Sequence, residues 1–333
     1  MPLHRWIGIV TKPGMVAVVV VNFNGGKYLQ RCLASISSQS RRPDIVIVVD
    51  NASVDGSLSD VRPQYPDYLY LPNATNVGFA KANNQAFDIC HDLGVEYVAL
   101  LNPDAFAAPD WLATLLAAAD REPACASWAS CLLRADAPSE VDGLGDAYHI
   151  SGSAWRRRHG QQLEAAWLVD RYVFCACAAA ALYRLSAVRE VGGFDEDLFC
   201  YLEDVDLGFR LRLRGHLCRL VSAARVEHVG SGITGFRSPA ATYYGQRNLV
   251  WVFAKNMPSA LLWLFMPLHV VLNATMIVVC ALRGQFGVVI RAKLDALKGL
   301  RAIPAKRLAV QSSALAPTSD IWRALSKAWV HGS

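Results

Sequence analysis

The chain has 333 residues, enough for one large domain or two small ones, since a domain usually holds about 100 to 200 residues. Lysine and arginine exceed aspartate and glutamate by 33 − 28 = 5, an excess too small to indicate a nucleic-acid partner. Apolar residues make up 53% of the chain and the mean hydropathy is +0.23, values that are high for a wholly soluble enzyme. We therefore expect either a large core or an apolar surface that meets a membrane.

Cysteine usage and the N-terminus indicate a cytosolic protein. The nine cysteines are scattered, only Cys175 and Cys177 are close together, and no Cys-x-x-Cys pair occurs, so neither a zinc ribbon nor a disulfide framework is predicted. The apolar patch in residues 1–10 is followed at once by Lys12 and Pro13 and is too short for the core and cleavage site of a signal peptide. We expect the catalytic part not to be exported.

The N-terminal half alternates apolar runs with amphipathic stretches. The valine-rich run 15–21 predicts a buried parallel strand that enters a glycine turn. Further strands are predicted at 45–49, 68–71 and 97–101, and helices at 27–38, 56–61, 79–91 and 109–120. This alternation predicts an α/β fold with a Rossmann-like, doubly wound, mostly parallel sheet, whose ligands bind beyond the carboxyl ends of the strands. Asp50, Asn76 and Asp104 fall at that edge.

The usual phosphate-binding loops are absent from the sequence. No Gly-x-Gly-x-x-Gly follows the first strand, and no Gly-x-x-x-x-Gly-Lys-Ser/Thr occurs. Asp104 is a candidate ligand for Mg²⁺ or Mn²⁺, because such an ion needs only one or two protein carboxylates when substrate phosphates and water complete its shell. The alternative is an Asx turn after a buried strand.

In residues 192–215 the acidic residues come first and the basic residues follow. Three acids, Glu203, Asp204 and Asp206, stand at the start of a predicted helix, and three arginines precede Gly215 at its end. Asp204 is thereby placed in the first helical turn, behind a paired-glycine loop that permits close approach to a ligand. The alternative is that the acids only cap the helix.

The segment Gly-Gly-Phe-Asp-Glu-Asp-Leu-Phe, followed by Leu-Glu-Asp-Val-Asp-Leu, is similar to the catalytic segment of family 2 inverting glycosyltransferases, above all the bacterial rhamnosyltransferases. The resemblance extends over about residues 16–232 and implies a GT-A fold. It also implies that Asp204 is the general base and that Glu203 helps to hold the acceptor.

The same resemblance implies a donor site. Asp50, in Val-Val-Asp-Asn-Ala-Ser, matches the acid that contacts the base or ribose of the nucleotide, and residues 76–84 resemble the donor-contacting loop. The donor-binding residues expected on this basis are Asn24, Asp50, Asn76, Gly78, Lys81 and Asp104. Asp104 matches the last acid of the metal motif, but Asn102-Pro-Asp104 replaces the Asp-x-Asp of many members and leaves strict metal dependence open.

His228 follows the catalytic segment in Val-Glu-His-Val-Gly. The matching histidine in this fold family is a metal or pyrophosphate ligand in some members, which makes His228 a candidate metal ligand beside Asp104. The alternative is a structural histidine beside a strand.

Residues 121–170 show weak periodicity and predict a partly ordered connector over the active site. Their basic cluster, residues 156–159, either meets an acidic acceptor or lipid phosphate or forms a solvated face. Residues 172–185 are small and apolar where family members usually carry a Ser-Gly or similar pair, so no residue there is assigned a role.

The C-terminal part predicts contact with a membrane. Ser259–Leu282 holds 24 residues without a formal charge, long enough to span a hydrocarbon core of about 30 Å, but with polar breaks at Pro267, His269 and Asn273. Residues 283–310 carry seven cations against Asp295 alone, as in a helix at an anionic surface. We predict a catalytic domain over 1–235 and a helical, membrane-associating region over 236–333, at the cytoplasmic face of the bacterial inner membrane. Whether the apolar run spans, re-enters or lies on the membrane stays open, and a buried helical subdomain is the alternative.

The predicted activity is inverting transfer of a sugar, L-rhamnose from dTDP-L-rhamnose, to a hydroxyl of a lipid-linked or cell-surface polysaccharide acceptor, with a divalent cation as cofactor. Transfer from a UDP- or GDP-sugar is the first alternative. A glycosidase would use Asp197 or Glu203 as a second carboxyl group. A non-catalytic nucleotide-sugar-binding scaffold in polysaccharide assembly is a third reading, and a homodimer is left open.

Overall fold

A computed structural model of the chain describes residues 13–230 and 238–328. The N-terminal segment considered for export, the last residues of the family resemblance and the predicted boundary between residues 235 and 236 lie outside these ranges.

Twelve strands and eleven α-helices lie in the described ranges. The strands are β1 (Val16–Asn22), β2 (Ile45–Asp50), β3 (Leu69–Pro72), β4 (Tyr97–Leu101), β5 (Ala105–Ala107), β6 (Cys125–Arg134), β7 (Val141–Leu144), β8 (Asp146–Tyr148), β9 (Ala154–Arg156), β10 (Arg171–Val173), β11 (Ala180–Arg184) and β12 (Leu217–His228). The helices are α1 (Gly26–Ser37), α2 (Ser57–Val61), α3 (Phe79–Asp92), α4 (Trp111–Arg121), α5 (Leu185–Glu190), α6 (Glu203–Leu213), α7 (Pro239–Asn256), α8 (Ser259–Leu282), α9 (Phe286–Gly299), α10 (Ile303–Ser312) and α11 (Thr318–Ala324).

The central sheet confirms the predicted α/β fold with a mostly parallel Rossmann-like half. Strands β3, β2, β1 and β4 lie side by side in that order and are parallel. Beyond β4 the sheet continues through β11, β6, β12 and β10, and β11 runs antiparallel to both of its neighbours. Because β1, β2 and β4 are parallel, their carboxyl ends meet at one edge of the sheet.

Strand β1 shows why this half folds as it does. All seven of its residues are buried, as expected of a strand that helices cover on both faces. Val16, Val18 and Val20 pack with residues of α1, whereas Ala17 and Val19 pack with residues of α3 on the other face. The uninterrupted apolar run therefore places β1 in the centre of the sheet rather than at its edge.

The prediction of a partly ordered connector over residues 121–170 was wrong. Strand β6 in this stretch is ten residues long and pairs with β11 and β12, while β7 and the β8–β9 hairpin follow it. Periodicity was weak because β6 is buried on both faces and mixes small and polar residues among its apolar ones. One of these polar residues, Ser130, accepts a hydrogen bond from Nε1 of Trp111 at 2.8 Å.

The C-terminal helices share a core with α6. Phe209 of α6 belongs to the same buried cluster as Phe253 of α7, Leu261 of α8 and Ile321 of α11. Helix α8 has the predicted bounds and continues through Pro267. In the described part of the chain it alone is long and apolar enough to cross a membrane, and only 17% of its most apolar window is buried.

Candidate active site

A cavity of about 380 Å³ lies at the carboxyl ends of the parallel strands. It is called the catalytic cavity below. The residues predicted from the sequence that line it are Asn76, Gly78, Asp104, Glu203, Asp204 and His228. The structure thus brings together side chains that are more than 120 residues apart in sequence, since Asp104 and His228 are separated by 228 − 104 = 124 positions.

Asp204 lies in the first turn of α6 and is half-buried in the cavity wall. Its Oδ2 accepts a hydrogen bond from the backbone N–H of Ala178 at 3.1 Å, and its Oδ1 accepts one from Val205 at 2.8 Å. These two donors hold the carboxylate in place without an arginine or lysine partner among the hydrogen bonds and ion pairs of the described residues. A carboxylate of this kind stays available to accept a proton.

The residues before Asp204 form a strained turn, called the catalytic loop (residues 198–202) below. Phe199, Tyr201 and Leu202 have φ of 63°, 68° and 66°, a left-handed conformation that non-glycine residues rarely adopt. The side-chain amide of Asn248 in α7 holds this loop. It donates to three of the loop's carbonyl oxygens, those of Leu198 (2.9 Å), Cys200 (2.9 Å) and Tyr201 (2.7 Å). Asn248 was not predicted, because nothing in the local sequence of α7 connects it with a loop about 50 residues earlier.

Glu203 is buried beside Asp204 in the cavity wall. Burial, and then the charges of Asp204 and Asp206, raise the pKa of its carboxyl well above the ordinary value. Its Oε2 has no hydrogen-bond partner among the described residues. A protonated carboxyl in this position is a hydrogen-bond donor for an acceptor hydroxyl rather than a second base.

Asp146, at the start of β8, is a cavity residue that the sequence did not reveal. Its Oδ1 is buried without a hydrogen-bond partner among the described residues. Burial, followed by the charge of Asp204, raises the pKa of its carboxyl well above the ordinary value. The only signal in the sequence was an aspartate in a turn-rich stretch, and such residues are common.

Asp146, Asp204 and Cys177 could in principle hold a metal ion, since their ligand atoms lie within 4.8 Å of one another. The donor set does not suit Mg²⁺ or Mn²⁺. Burial raises the pKa of the Cys177 thiol well above its ordinary value, which keeps the sulfur protonated, and thiolates select softer metals.

Asp104 and His228 offer a better site for a hard cation. Nε2 of His228 lies 3.4 Å from Oδ1 of Asp104, and its Nδ1 lies 2.8 Å from Oδ2 of Asp142. A carboxylate behind a histidine is the usual arrangement that orients a metal-ligating imidazole. Arg156 lies 2.5 Å from the same carboxylate oxygen of Asp142, so this member of the basic cluster supports the site instead of belonging to a solvated face.

Asp142 was not predicted. Burial opposes its ionisation, but hydrogen bonds from His159 and His228 and the charge of Arg156 outweigh burial and lower the pKa of the carboxyl. Asp142 is therefore ionised and holds His228 in one orientation.

Three predicted donor residues do not line the catalytic cavity. Asp50 is buried at the end of β2, where its carboxylate accepts from Nδ2 of Asn22 and Oγ of Ser53, both at 2.7 Å. Asn24 adopts φ of 54° in the turn after β1. Lys81 lies at the surface, 3.7 Å from Glu196. Their donor roles stay predictions.

Gly78 connects the donor side with the catalytic loop. Its φ is 88°, and a Cβ at this position would lie 2.6 Å from the Phe199 ring. The next helix also contacts the loop, because the N–H of Ala80 donates to the carbonyl of Phe199 at 3.1 Å. Only glycine fits between the two segments.

Asp197, considered as a second carboxyl group for a glycosidase, does not line the cavity. It is exposed and pairs with Nζ of Lys306 at 2.6 Å. Of the two residues considered for that role, only Glu203 is in the cavity wall.

Comparison with known proteins identifies the family of this chain. Residues 17–192 match the sequence model of glycosyl transferase family 2. N-acetylglucosaminyl-diphospho-decaprenol L-rhamnosyltransferase of Mycobacterium tuberculosis (strain ATCC 25618 / H37Rv) is 31% identical over 283 residues, which cover 79% of this chain and 90% of that protein.

Two solved glycosyltransferases show the same fold. The mannosyltransferase PcManGT from Pyrobaculum calidifontis, in complex with GDP-Man and Mn²⁺, superposes with a TM-score of 0.55 at 19% identity, over 96% of this chain and 92% of that one. GalNAc-T7 with UDP, GalNAc and Mn²⁺ gives a TM-score of 0.58 at 15% identity, over 74% of this chain and 48% of that one. The chain belongs to glycosyl transferase family 2 and is a glycosyltransferase with the GT-A fold.

Proposed function

We propose that this enzyme is an inverting transferase that moves L-rhamnose from dTDP-L-rhamnose to a hydroxyl of a lipid-linked acceptor in polysaccharide synthesis. The observation that carries the proposal is the Asp204 carboxylate, held by two backbone N–H groups in the wall of a cavity that Asp104 and His228 also line. The choice of sugar and acceptor is supported by the Mycobacterium tuberculosis relative, whose name specifies L-rhamnosyl transfer to a diphospho-decaprenol.

In this mechanism Asp204 is the base. Its carboxylate takes the proton of the acceptor hydroxyl while that oxygen forms a bond to the anomeric carbon from the side opposite the nucleotide. The bond from the anomeric carbon to the nucleotide diphosphate breaks and its electron pair leaves with the phosphate oxygen. The configuration of the sugar is inverted, and Asp204 carries the proton until solvent removes it.

The Asp104 and His228 side chains fit a divalent cation, Mg²⁺ or Mn²⁺, with Asp142 orienting the histidine. When bound, such an ion supplies positive charge that stabilises a departing diphosphate. The carboxyls of Glu203 and Asp146, whose pKa values burial raises, lie in the wall of the same cavity, where they are placed to donate hydrogen bonds to acceptor or sugar hydroxyls.

The test is turnover by the purified full-length chain with dTDP-, UDP- and GDP-sugars and a prenyl-diphosphate-linked sugar acceptor, followed by mass spectrometry of the acceptor. We expect a rhamnosylated product from dTDP-L-rhamnose and inhibition by dTDP. If product forms only from a UDP- or GDP-sugar, that nucleotide sugar is the donor and dTDP-L-rhamnose is not. Hydrolysis of simple glycosides without any nucleotide sugar would indicate a glycosidase, and donor binding without turnover would indicate a scaffold.

We also propose that α8 and α9 lie on the cytoplasmic face of the inner membrane. Large apolar side chains on these helices are exposed to an extent that is unusual for a soluble protein. They are Trp263 (71%), Leu264 (65%), Val270 (60%), Val271 (60%), Val278 (57%) and Leu282 (84%) of α8, and Phe286 (57%), Leu294 (52%) and Leu297 (61%) of α9. The α8 residues recur at the spacing of one helical face.

Contacts in the middle of α8 favour a helix lying in the membrane plane over a helix that spans it. Nδ1 of His269 lies 2.7 Å from the carbonyl oxygen of Ser151, and the His269 ring stacks on Phe253 with centroids 4.0 Å apart. Nζ of Lys293 in α9 donates to Oδ1 of Asn273 at 2.6 Å. A spanning helix would carry these polar groups and the protein attached to them into the hydrocarbon. The basic residues after α8 favour the cytoplasmic side.

Vesicle flotation of the full-length chain tests this arrangement. The double variant Trp263→Gln/Leu264→Gln should reduce binding to anionic phospholipid vesicles by about tenfold or more, since each such side chain contributes about 1.5–3 kcal/mol when buried. Val54→Gln, which changes an apolar residue 90% exposed in the N-terminal half, is the control and should bind like the wild type. Unchanged binding of the double variant would contradict the proposal.

A further inference from the structure

A second cavity, of about 510 Å³, lies between the β8–β10 region and α11. It is called the arginine cavity below. Three guanidinium groups line it, from Arg157, Arg212 and Arg323, together with the acids Asp146 and Asp320. Asp320 pairs with Arg323 at 3.0 Å. The three arginines outnumber the two aspartates, so the lining carries excess positive charge.

The guanidinium of Arg212 is mostly buried and donates only to backbone carbonyls, at 2.7 Å to Val173 and 3.2 Å to Phe174. Burial lowers the pKa of Arg212, and none of the groups acting on it is a carboxylate. Among the described residues, no carboxylate neutralises this cation.

Arg157 has even less compensation. Burial, followed by the like charges of Arg171 and Arg158, lowers its pKa, and no carboxylate of the described residues acts against them. Its backbone N–H donates to Gly145 at 2.9 Å, which fixes the chain at this point. A half-buried guanidinium among other cations is costly unless an anion binds to it.

The position of the arginine cavity suggests where the anion comes from. Helix α11, which forms one wall, packs on α8 through Trp322, whose ring stacks on Phe265 with centroids 5.6 Å apart. The cavity therefore lies beside the helix that we place on the membrane. On its other side it shares a wall residue, Asp146, with the catalytic cavity.

We propose that the arginine cavity binds the phosphate or diphosphate group of the acceptor, with Arg157 as its main ligand. The planar fork of an arginine side chain matches the oxygens of a phosphoryl group. A lipid-linked acceptor bound there has its chain toward α8 and its sugar toward Asp204. This inference rests on the proposed transfer to a lipid-linked acceptor.

The test compares two acceptors that differ only in the anionic group, N-acetylglucosaminyl diphosphate linked to a short prenol and octyl N-acetylglucosaminide. Arg157→Ala should lower kcat/KM for the diphosphate acceptor by about tenfold, mainly through KM, since a hydrogen bond to a charged group contributes on this scale. Turnover of the octyl acceptor should be unchanged. Arg157→Lys should restore part of the loss.

Arg158→Ala is the matched control. Arg158 is the next residue, with its guanidinium over the Trp167 ring, and does not line the arginine cavity. It should leave both acceptors unaffected. An equal loss on both acceptors in Arg157→Ala would indicate a structural role for Arg157 and overturn the proposal, as would no loss on either.

A second measurement separates this inference from the proposed function. Isothermal titration of full-length protein with inorganic pyrophosphate in the presence of chelator should show binding that Arg157→Ala weakens by about tenfold. If neither acceptor is a substrate, the proposed acceptor is wrong and this titration alone decides whether the cavity binds anions. Arg157-dependent pyrophosphate binding without any acceptor discrimination would indicate a free anion and overturn the assignment to the acceptor lipid.

Discussion

The N-terminal parallel half and the catalytic loop hold their functional groups in different ways. In the parallel half, Asp50 sits at a strand end and its carboxylate is satisfied by Asn22 and Ser53. Around the catalytic loop, one carboxyl oxygen of Glu203 (Oε2) and one of Asp146 (Oδ1) are buried without hydrogen-bond partners among the described residues. Within the loop itself, three of five consecutive residues are non-glycine residues in the left-handed conformation. The end of a regular strand positions Asp50, whereas the distant helix α7 holds the loop that precedes Glu203.

This difference has a consequence for variants. Strain and unsatisfied polar groups concentrate where chemistry occurs and persist only because surrounding contacts enforce them. We expect variants of residues in the parallel half that do not line the catalytic cavity to act mainly on stability, and variants around the catalytic loop to act mainly on turnover.

The largest effect should come from the base. Asp204→Asn keeps the shape and removes the proton affinity, so kcat should fall by about 10²- to 10⁴-fold while nucleotide diphosphate still binds. Asp197→Asn, an exposed acid in the same segment, is the control and should turn over like the wild type. Near wild-type turnover of Asp204→Asn would eliminate this base and point to Glu203, the other acid of α6 in the cavity wall.

The second largest effect should come from Asp104, the proposed metal ligand. This variant tests whether a residue at a strand end also contributes to the chemistry. Asp104→Ala should weaken donor binding by about 10²-fold, and chelator should suppress the wild type, because the diphosphate loses its neutralising cation. Calorimetric titration with donor measures the first effect. Asp110→Ala, an exposed acid at the start of α4, serves as the control. Full activity in chelator would remove the metal from the mechanism.

A pair of buried amides makes the comparison sharper. Asn248→Ala should lower kcat by about tenfold because the catalytic loop loses its donors. Gln39→Ala removes an equally buried amide of the N-terminal half that donates to Ser35 and Ala108. It should lower the free energy of unfolding by about 1–3 kcal/mol and leave kcat unchanged. Equal losses of kcat in both variants would break the comparison.

The smallest effect should be in the pH dependence of stability. The folded protein raises the pKa of Glu203 above its ordinary value of 4.5, so above pH 4.5 the folded state binds more protons than the unfolded one. The free energy of unfolding should then fall as pH rises from 4.5 toward the raised pKa, by up to about 1.4 kcal/mol per pH unit. Glu203→Gln should flatten this slope in urea titrations at pH 5 and 7. Exposed Glu164→Gln is the control, and a slope unaffected by Glu203→Gln would contradict the assignment.

Local patterns predicted the parallel half and part of the site. Valine-rich runs buried on both faces specified β1 and β2, and the alternation with helices specified β3 and β4. Turn residues after β4 led to Asp104. Asp204 and His228 were predicted from a motif, and the structure places both in the wall of the catalytic cavity.

What could not be predicted depends on contacts between distant residues. Asp142 and Asp146 acquire their properties from burial beside His228 and Asp204, which no spacing in β7 and β8 encodes. The antiparallel insertion of β11 between β4 and β6 likewise follows from the packing of the whole sheet. The same holds for Asn248, whose three acceptors lie on another segment.

Because Asn248 stabilises the catalytic loop, the order in which the chain is synthesised determines when the enzyme becomes fully active. The ribosome releases Asp204 before it releases α7, so a nascent chain carries its base without the amide that shapes the loop. Full activity requires residues 238–256 to fold against α6, and α8 to α11 follow directly behind. The enzyme therefore gains its full turnover at nearly the same moment as α8, the helix that we propose lies on the membrane.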